Sequence, residues 1–226
     1  MKQTQAFLST YTADVSGVCS ALFELGGMTV MHDASGCNST YNTHDEPRWY
    51  DMDSLVFISG LSELEAVLGD DEKLIEDTVR AAKELSPRFI ALAGTPIPMI
   101  TGCDLAAIAR EIERRAGISS FFVPSNGIGS YVSGAGQALR LYAERFVLPA
   151  RETKKNAVNI LGATPLDFSV NGQVQSTERR LTEGGFSVQS VWAMGSDVSA
   201  IDRAGEAEVN LVVSSVGLPA ANFLRE

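Results

Sequence analysis

Two periods alternate along this chain. Short continuous apolar runs, MTVMH (28–32), SLVFISG (54–60) and RFIALAGT (88–95), are bounded by glycine and polar turn residues. Such runs are the pattern of strands covered on both faces of a parallel sheet. Between them the period changes. In GDDEKLIEDTVRAAKELSP, Leu74, Ile75, Thr78, Val79, Ala82 and Leu85 fall on one helical face, Glu76 and Arg80 form an i,i+4 pair, and Pro87 ends the helix. Asp14 to Leu25 reads as a short helix stopped at Gly26-Gly27. Asp104 is placed to cap a helix with Leu105, Ile108, Ala109 and Ile112 on its apolar face, ended by Gly117. SSFFVPS is a further strand. The glycine-rich NGIGSYVSGAGQ reads as a loop leading into the helix QALRLYAERFV.

LPARETKKN (148–156) is polar, cationic and contains proline, and reads as a linker. The pattern then restarts: strand AVNILGA, helix STERRLTEGG, strand FSVQSVWAM, a helix from near Asp197, strand VNLVVSS and a helix from about Leu218. Strands alternating with helices predict an α/β fold of Rossmann-like open parallel sheets. The expected arrangement is two consecutive βα domains, residues 1–150 and 151–226. The second stops inside an amphipathic helix, AANFLRE. We therefore expect an incomplete second domain, either the N-terminal fragment of a longer protein or a chain completed by a partner.

Composition narrows the class. The 226 residues carry a net charge of −10, with 45 % apolar and 20 % charged residues. An acidic chain without a basic run is not built to bind nucleic acid. No apolar run is long enough to span a membrane, and the N-terminus lacks the apolar core of a signal peptide, so a cytoplasmic protein is expected. Two histidines, His32 and His44, and the absence of H-E-x-x-H and G-x-S-x-G argue against a zinc protease and a hydrolase elbow. No G-x-x-x-x-G-K-[ST] occurs, and GAGQAL carries Leu139 where a dinucleotide fingerprint needs its last glycine.

In open α/β sheets ligands bind beyond the carboxyl ends of the strands. Those ends, His32 to Cys37, Gly60 to Ser62, Gly94 to Cys103, Pro124 to Ser133, Gly162 to Asn171 and Ser214 to Gly217, are rich in Gly, Ser and Thr. The three cysteines are Cys19, Cys37 and Cys103. Their odd number and lack of C-x-x-C pairing argue against a disulfide framework or zinc ribbon. Two readings stand for them: small buried hydrophobes, or thiolate ligands of an iron–sulfur cluster shared across an interface.

The order of motifs points to a family. SGVCSALFELGGMTVMHDASGCNSTY, with its strand ending near histidine and its Gly36-Cys37-x-x-x-Tyr41 turn, resembles the first cluster-binding region of the nitrogenase component 1 family. LGDDEKLIEDTVRAAKELSPRFIALAGTPIPMITGCDLAAIARE is similar to that family's next block, and VPSNGIGSYVSGAGQAL to its serine- and glycine-rich turn. NAVNILGA and VNLVVSS continue in the family's order. The resemblance implies an oxidoreductase component that receives electrons from an ATP-dependent iron protein through an iron–sulfur cluster and pairs with a homologous subunit. It equally accommodates a non-catalytic scaffold for metallocluster assembly, or a cluster-free binding subunit. Of the family's three cluster cysteines, Cys37 matches one. The upstream one aligns with Tyr11 or Thr12, with Cys19 about two helical turns later. The third aligns with Thr95, with Cys103 beyond it. Ser214 stands where the nitrogenase α chain carries its cofactor cysteine. A hydroxyl replaces thiolate poorly on iron, so the expectation becomes a 4Fe–4S cluster shared across a dimer, with Cys37, Cys19 and Cys103 as candidate ligands.

Overall fold

A computed structural model describes residues 13–34, 36, 38, 46–150, 152–168 and 170–225. The first sheet is built from β1 (Met28–His32), β2 (Leu55–Ile58), β3 (Ile90–Gly94) and β4 (Ser120–Val123), all parallel, in the order β2-β1-β3-β4. The fold is α/β. Alternation along the strands divides the core. Met31, Ala91, Ala93, Phe121 and Val123 face α1 (Asp14–Leu22) and α6 (Tyr131–Phe146). Met28, Val30, Ile90 and Leu92 face α3 (Glu72–Leu85) and α5 (Leu105–Ala116). Burial on both sides is why these strands are apolar throughout.

Local signals explain most boundaries. Asp104 caps α5, its carboxylate accepting from the Ala107 N–H at 2.9 Å, and Gly117 ends the helix at φ 68°. On α3, Leu74, Ile75, Thr78, Val79 and Ala82 are buried as expected, but Leu85, on the last turn, is exposed. Arg80 pairs with Asp77 rather than Glu76. Two short helices lie at the carboxyl edge: α2 (Glu63–Leu68), opened by a Ser62–Glu65 capping box, and α4 (Pro96–Thr101).

The glycine-rich stretch before Gln137 is not a loop. α6 starts at Tyr131, capped by the Ser130 hydroxyl, and Gly134 and Gly136 lie inside it. A Cβ at Gly134 would lie 1.9 Å from the Asp14 carbonyl oxygen, and one at Gly17 would lie 2.2 Å from that of Tyr131. These glycines let α1 and α6 approach backbone to backbone.

The second sheet is β5 (Lys154–Leu161), β6 (Ser187–Val191) and β7 (Ala207–Val212), parallel, in the order β6-β5-β7. β5 begins at Lys154, inside the stretch read as a linker. α7 (Pro165–Phe168), α8 (Gln173–Glu183), α9 (Val198–Asp202) and α10 (Leu218–Arg225) accompany it. The core around α1 and α6 continues into this part through Leu161, Trp192, Ala193, Ile201, Val216 and Ala220. Arg88, ahead of β3, approaches both carboxylate oxygens of Asp202 at the end of α9 through Nη2 (2.8 and 2.6 Å), and the Tyr142 hydroxyl also donates to Asp202. Among the described residues, no helix is long and apolar enough to cross a membrane.

Candidate functional site

The chain leaves β1 towards β2 on one side and returns to β3 on the other, so the first switch point lies between the ends of β1 and β3. Side-chain hydroxyls tie it. The buried Thr95 hydroxyl sits 2.8 Å from the His32 carbonyl oxygen and 3.1 Å from Asp33 Oδ1. The Ser125 hydroxyl accepts from the Gly94 N–H at 2.9 Å. Asp33 also accepts from the Asn38 amide, so its carboxylate is engaged within the turn. The Asp14 carboxylate accepts from the backbone N–H groups of Val15, Asn126 and Gly127 at 2.8–2.9 Å, fastening the loop after β4 to the start of α1. The second switch point, between β5 and β7, is closed by backbone: a Cβ on Gly162 would lie 2.6 Å from the Gly217 nitrogen, and the Ser214 hydroxyl donates to the Gly162 carbonyl at 2.6 Å.

The two described thiols lie on opposite sides of the first sheet. Cys19 is fully buried on α1 in the core shared with α6. Burial, reinforced by the Glu46 charge, holds its thiol far above the ordinary range and keeps it protonated. Cys103 is half-buried in the turn between α4 and α5, against the core of α3 and α5. Cys37, Tyr11 and Thr12 lie outside the described residues.

Cys103 has company at the carboxyl edge. His32 from the end of β1, Asp71 ahead of α3 and Cys103 each present a ligand atom within 4.8 Å of the others. They line a cavity of about 130 Å³ together with Glu65, Asp70 and Thr101. The Cys103 thiol donates to Asp71 Oδ1 at 3.5 Å. Burial, then the Asp71 carboxylate, push its pKa up to about 12. Burial lowers that of His32, against the pull of Asp71, Asp33 and Glu65, so the ring is neutral at neutral pH.

A second cluster, beside Cys19, has no counterpart in the sequence reading. Arg48, on the 3-10 turn Pro47–Tyr50, is buried. Its guanidinium is bidentate to Glu46 (2.7 and 2.9 Å) and donates to Glu24 Oε1, the Ser20 carbonyl and the Ala193 carbonyl. It stands 4.7 Å from the centroid of Phe23. Glu24 in turn accepts from the Ser196 N–H at 2.9 Å. Polar residues in a loop ordinarily announce solvent, so composition carries no signal of this network.

Comparison with known proteins identifies the fold's lineage. A profile of the family described as nitrogenase component 1 type oxidoreductase matches residues 15–226. The chain belongs to that family. Among component 1 relatives, a light-independent protochlorophyllide reductase chain of Chlorella vulgaris is 30 % identical over 171 residues, covering 70 % of this chain and 33 % of that protein. The nitrogenase molybdenum-iron protein beta chain of Bradyrhizobium diazoefficiens is 27 % identical over 188 residues, covering 78 % and 36 %. The nitrogenase iron-molybdenum cofactor biosynthesis protein NifE of Methanococcus maripaludis is 26 % identical over 160 residues, covering 69 % and 32 %. The structure of nitrogenase Cp1 at pH 5 superposes with a TM-score of 0.76 at 18 % identity, over 96 % of this chain and 46 % of that one. The same protein at pH 6.5 gives 0.72 at 20 % identity, over 91 % and 41 %. The component 1 chain described here spans about a third of the length of these curated relatives.

Proposed function

We propose that this chain is part of a cytoplasmic component 1-type oxidoreductase subunit that pairs with a homologous subunit and takes electrons from an ATP-dependent iron protein. The carrying observation is the family match across residues 15–226. An iron–sulfur cluster at the interface, with Cys37 as this chain's ligand, would supply the electron-carrying chemistry. Cys19 and Cys103 do not fit one cluster together, because the sheet separates them. No electron-transfer step is therefore assigned to either. A partner surface is supported at the same edge: Leu64, Val67 and Leu68 on α2 and Ile97, Met99 and Ile100 on α4 are exposed on neighbouring helices.

A second reading, a scaffold that holds a cluster or cofactor during assembly, is favoured by Thr95 and Ser214. Both stand at positions where the family resemblance would put cysteine, and both hydroxyls are occupied in binding the sheet's own backbone. Anaerobic purification of the full-length protein, with iron and sulfide analysis of wild type and Cys37→Ala, tests the cluster. Iron-loaded wild type and an iron-poor variant are expected, and protein that stays iron-free after reconstitution would overturn both readings. Turnover dependent on an ATP-hydrolysing reductase separates enzyme from scaffold.

A further inference from the structure

We propose that His32, Asp71 and Cys103 form a mononuclear site for a divalent transition metal of the zinc class, separate from any cluster at Cys37. The three ligand atoms lie within 4.8 Å of one another around a cavity of about 130 Å³. That is ample for an ion and a water, since one water needs roughly 10–15 Å³ of such space.

The donor set is imidazole nitrogen, carboxylate oxygen and thiolate sulfur, a combination that borderline ions such as zinc accept and that hard ions such as magnesium do not. The spacing agrees. Zn–S of about 2.3 Å and Zn–O of about 2.1 Å at a tetrahedral angle separate the two donors by roughly 3.6 Å. Cys103 Sγ and Asp71 Oδ1 are 3.5 Å apart.

Orientation is the independent observation. Asp71 holds the N-cap position of α3, where a carboxylate ordinarily accepts from the first-turn amides. Its side chain makes no cap hydrogen bond and faces Cys103 instead. His32 is oriented from behind. The Ser59 hydroxyl lies 2.8 Å from His32 Nδ1, accepts from the Asp33 N–H at 3.1 Å and stands 3.2 Å from the Asp33 carbonyl. One proton assignment satisfies all three contacts: the hydroxyl donates to the carbonyl and accepts from Nδ1–H. Nε2 then keeps the ring's lone pair, the arrangement in which an outer hydrogen bond fixes the tautomer of a metal-bound histidine.

Three protein ligands leave a fourth position for water or a small ligand, with Glu65 and Asp70 on the same wall. On loading, the thiol proton now donated to Asp71 passes to solvent as the sulfur binds the ion. The ion would fasten the end of β1, the start of α3 and the α4–α5 turn to one another.

The test is cobalt titration of full-length Cys37→Ala protein freed of metal by chelation, with iron-free wild type in parallel. Because the variant lacks the cluster ligand, failure of the cluster reading leaves this titration readable. One equivalent of Co²⁺ is expected, with a thiolate-to-cobalt absorption band that zinc displaces. Cys103→Ser should lose the band while keeping its circular dichroism. Asp71→Asn and His32→Gln should weaken binding at least tenfold, and Ser59→Ala by about 10–100-fold. Folded protein that takes up no stoichiometric cobalt, or a band that survives Cys103→Ser, overturns the proposal.

Discussion

Cys19 and Cys103 face opposite sides of one four-stranded sheet; burial is the first reason both thiols stay protonated, but their neighbours differ. Cys19 is enclosed by Val15, Val18, Leu22 and the residues of α6, with the Glu46 charge nearby. Cys103 is half-open, its proton shared with a carboxylate and an imidazole within reach. The contrast teaches that a thiol's role follows from what shares its cavity. On the Cys19 side the polar chemistry, Arg48 with Glu46 and Glu24, is closed and self-satisfied. On the Cys103 side the donors converge on empty space.

The largest expected effect tests how far the closed side depends on its pairing. Arg48→Met leaves Glu46 and Glu24 without their cation in the interior and should cost about 3–5 kcal/mol of stability in urea unfolding. Next, Cys19→Ser places a hydroxyl among hydrocarbon and should cost about 1–3 kcal/mol, whereas metal-free Cys103→Ser should stay within about 0.5 kcal/mol of wild type. Equal losses would erase the distinction between the two thiols.

A pH series separates the faces further. The folded Cys19 pKa is raised above its ordinary value of 9.0. Below that pH both folded and unfolded states carry the proton. Above it the unfolded chain deprotonates first, so stability should fall as pH rises past about 9, and less steeply in Cys19→Ala. For His32 the folded pKa is lowered from 6.5. Stability should therefore fall as pH drops below about 6.5, where the unfolded ring gains its proton first, and His32→Gln should flatten that limb. The smallest effect is kinetic: an alkylating reagent at mildly alkaline pH should label Cys103 slowly in the native protein and Cys19 only after unfolding, as read by mass spectrometry.

Much of the fold is legible because its signals are local. The MTVMH strand stands at 28–32, and the Asp104 cap with its apolar face sets α5. Gly134 and Gly136 read as a loop because the reason for them is the distant α1 helix, not their neighbours. α2 escapes notice since Leu64, Val67 and Leu68 are exposed and leave no one-sided stripe; only the Ser62–Glu65 capping box marks it. The candidate site is legible as an edge, not as a constellation. His32 and Cys103 fall at strand ends, but nothing in GDDEKL singles out Asp71. Only the parallel order β2-β1-β3-β4 carries three separated segments to one rim. The Arg48 network is hidden for a like reason, since apart from the adjacent Glu46 its partners come from α1 (Ser20), the turn after it (Glu24) and the loop after β6 (Ala193).

All five N–H groups of Arg48 are engaged, on Glu46, Glu24, Ser20 and Ala193. Of these acceptors the Ala193 carbonyl belongs to the second sheet's part of the chain, so moving that part away would leave one guanidinium N–H, and beside it the Ser196 N–H held by Glu24, without its partner in a buried seam. The guanidinium therefore acts as a rivet rather than a hinge pin.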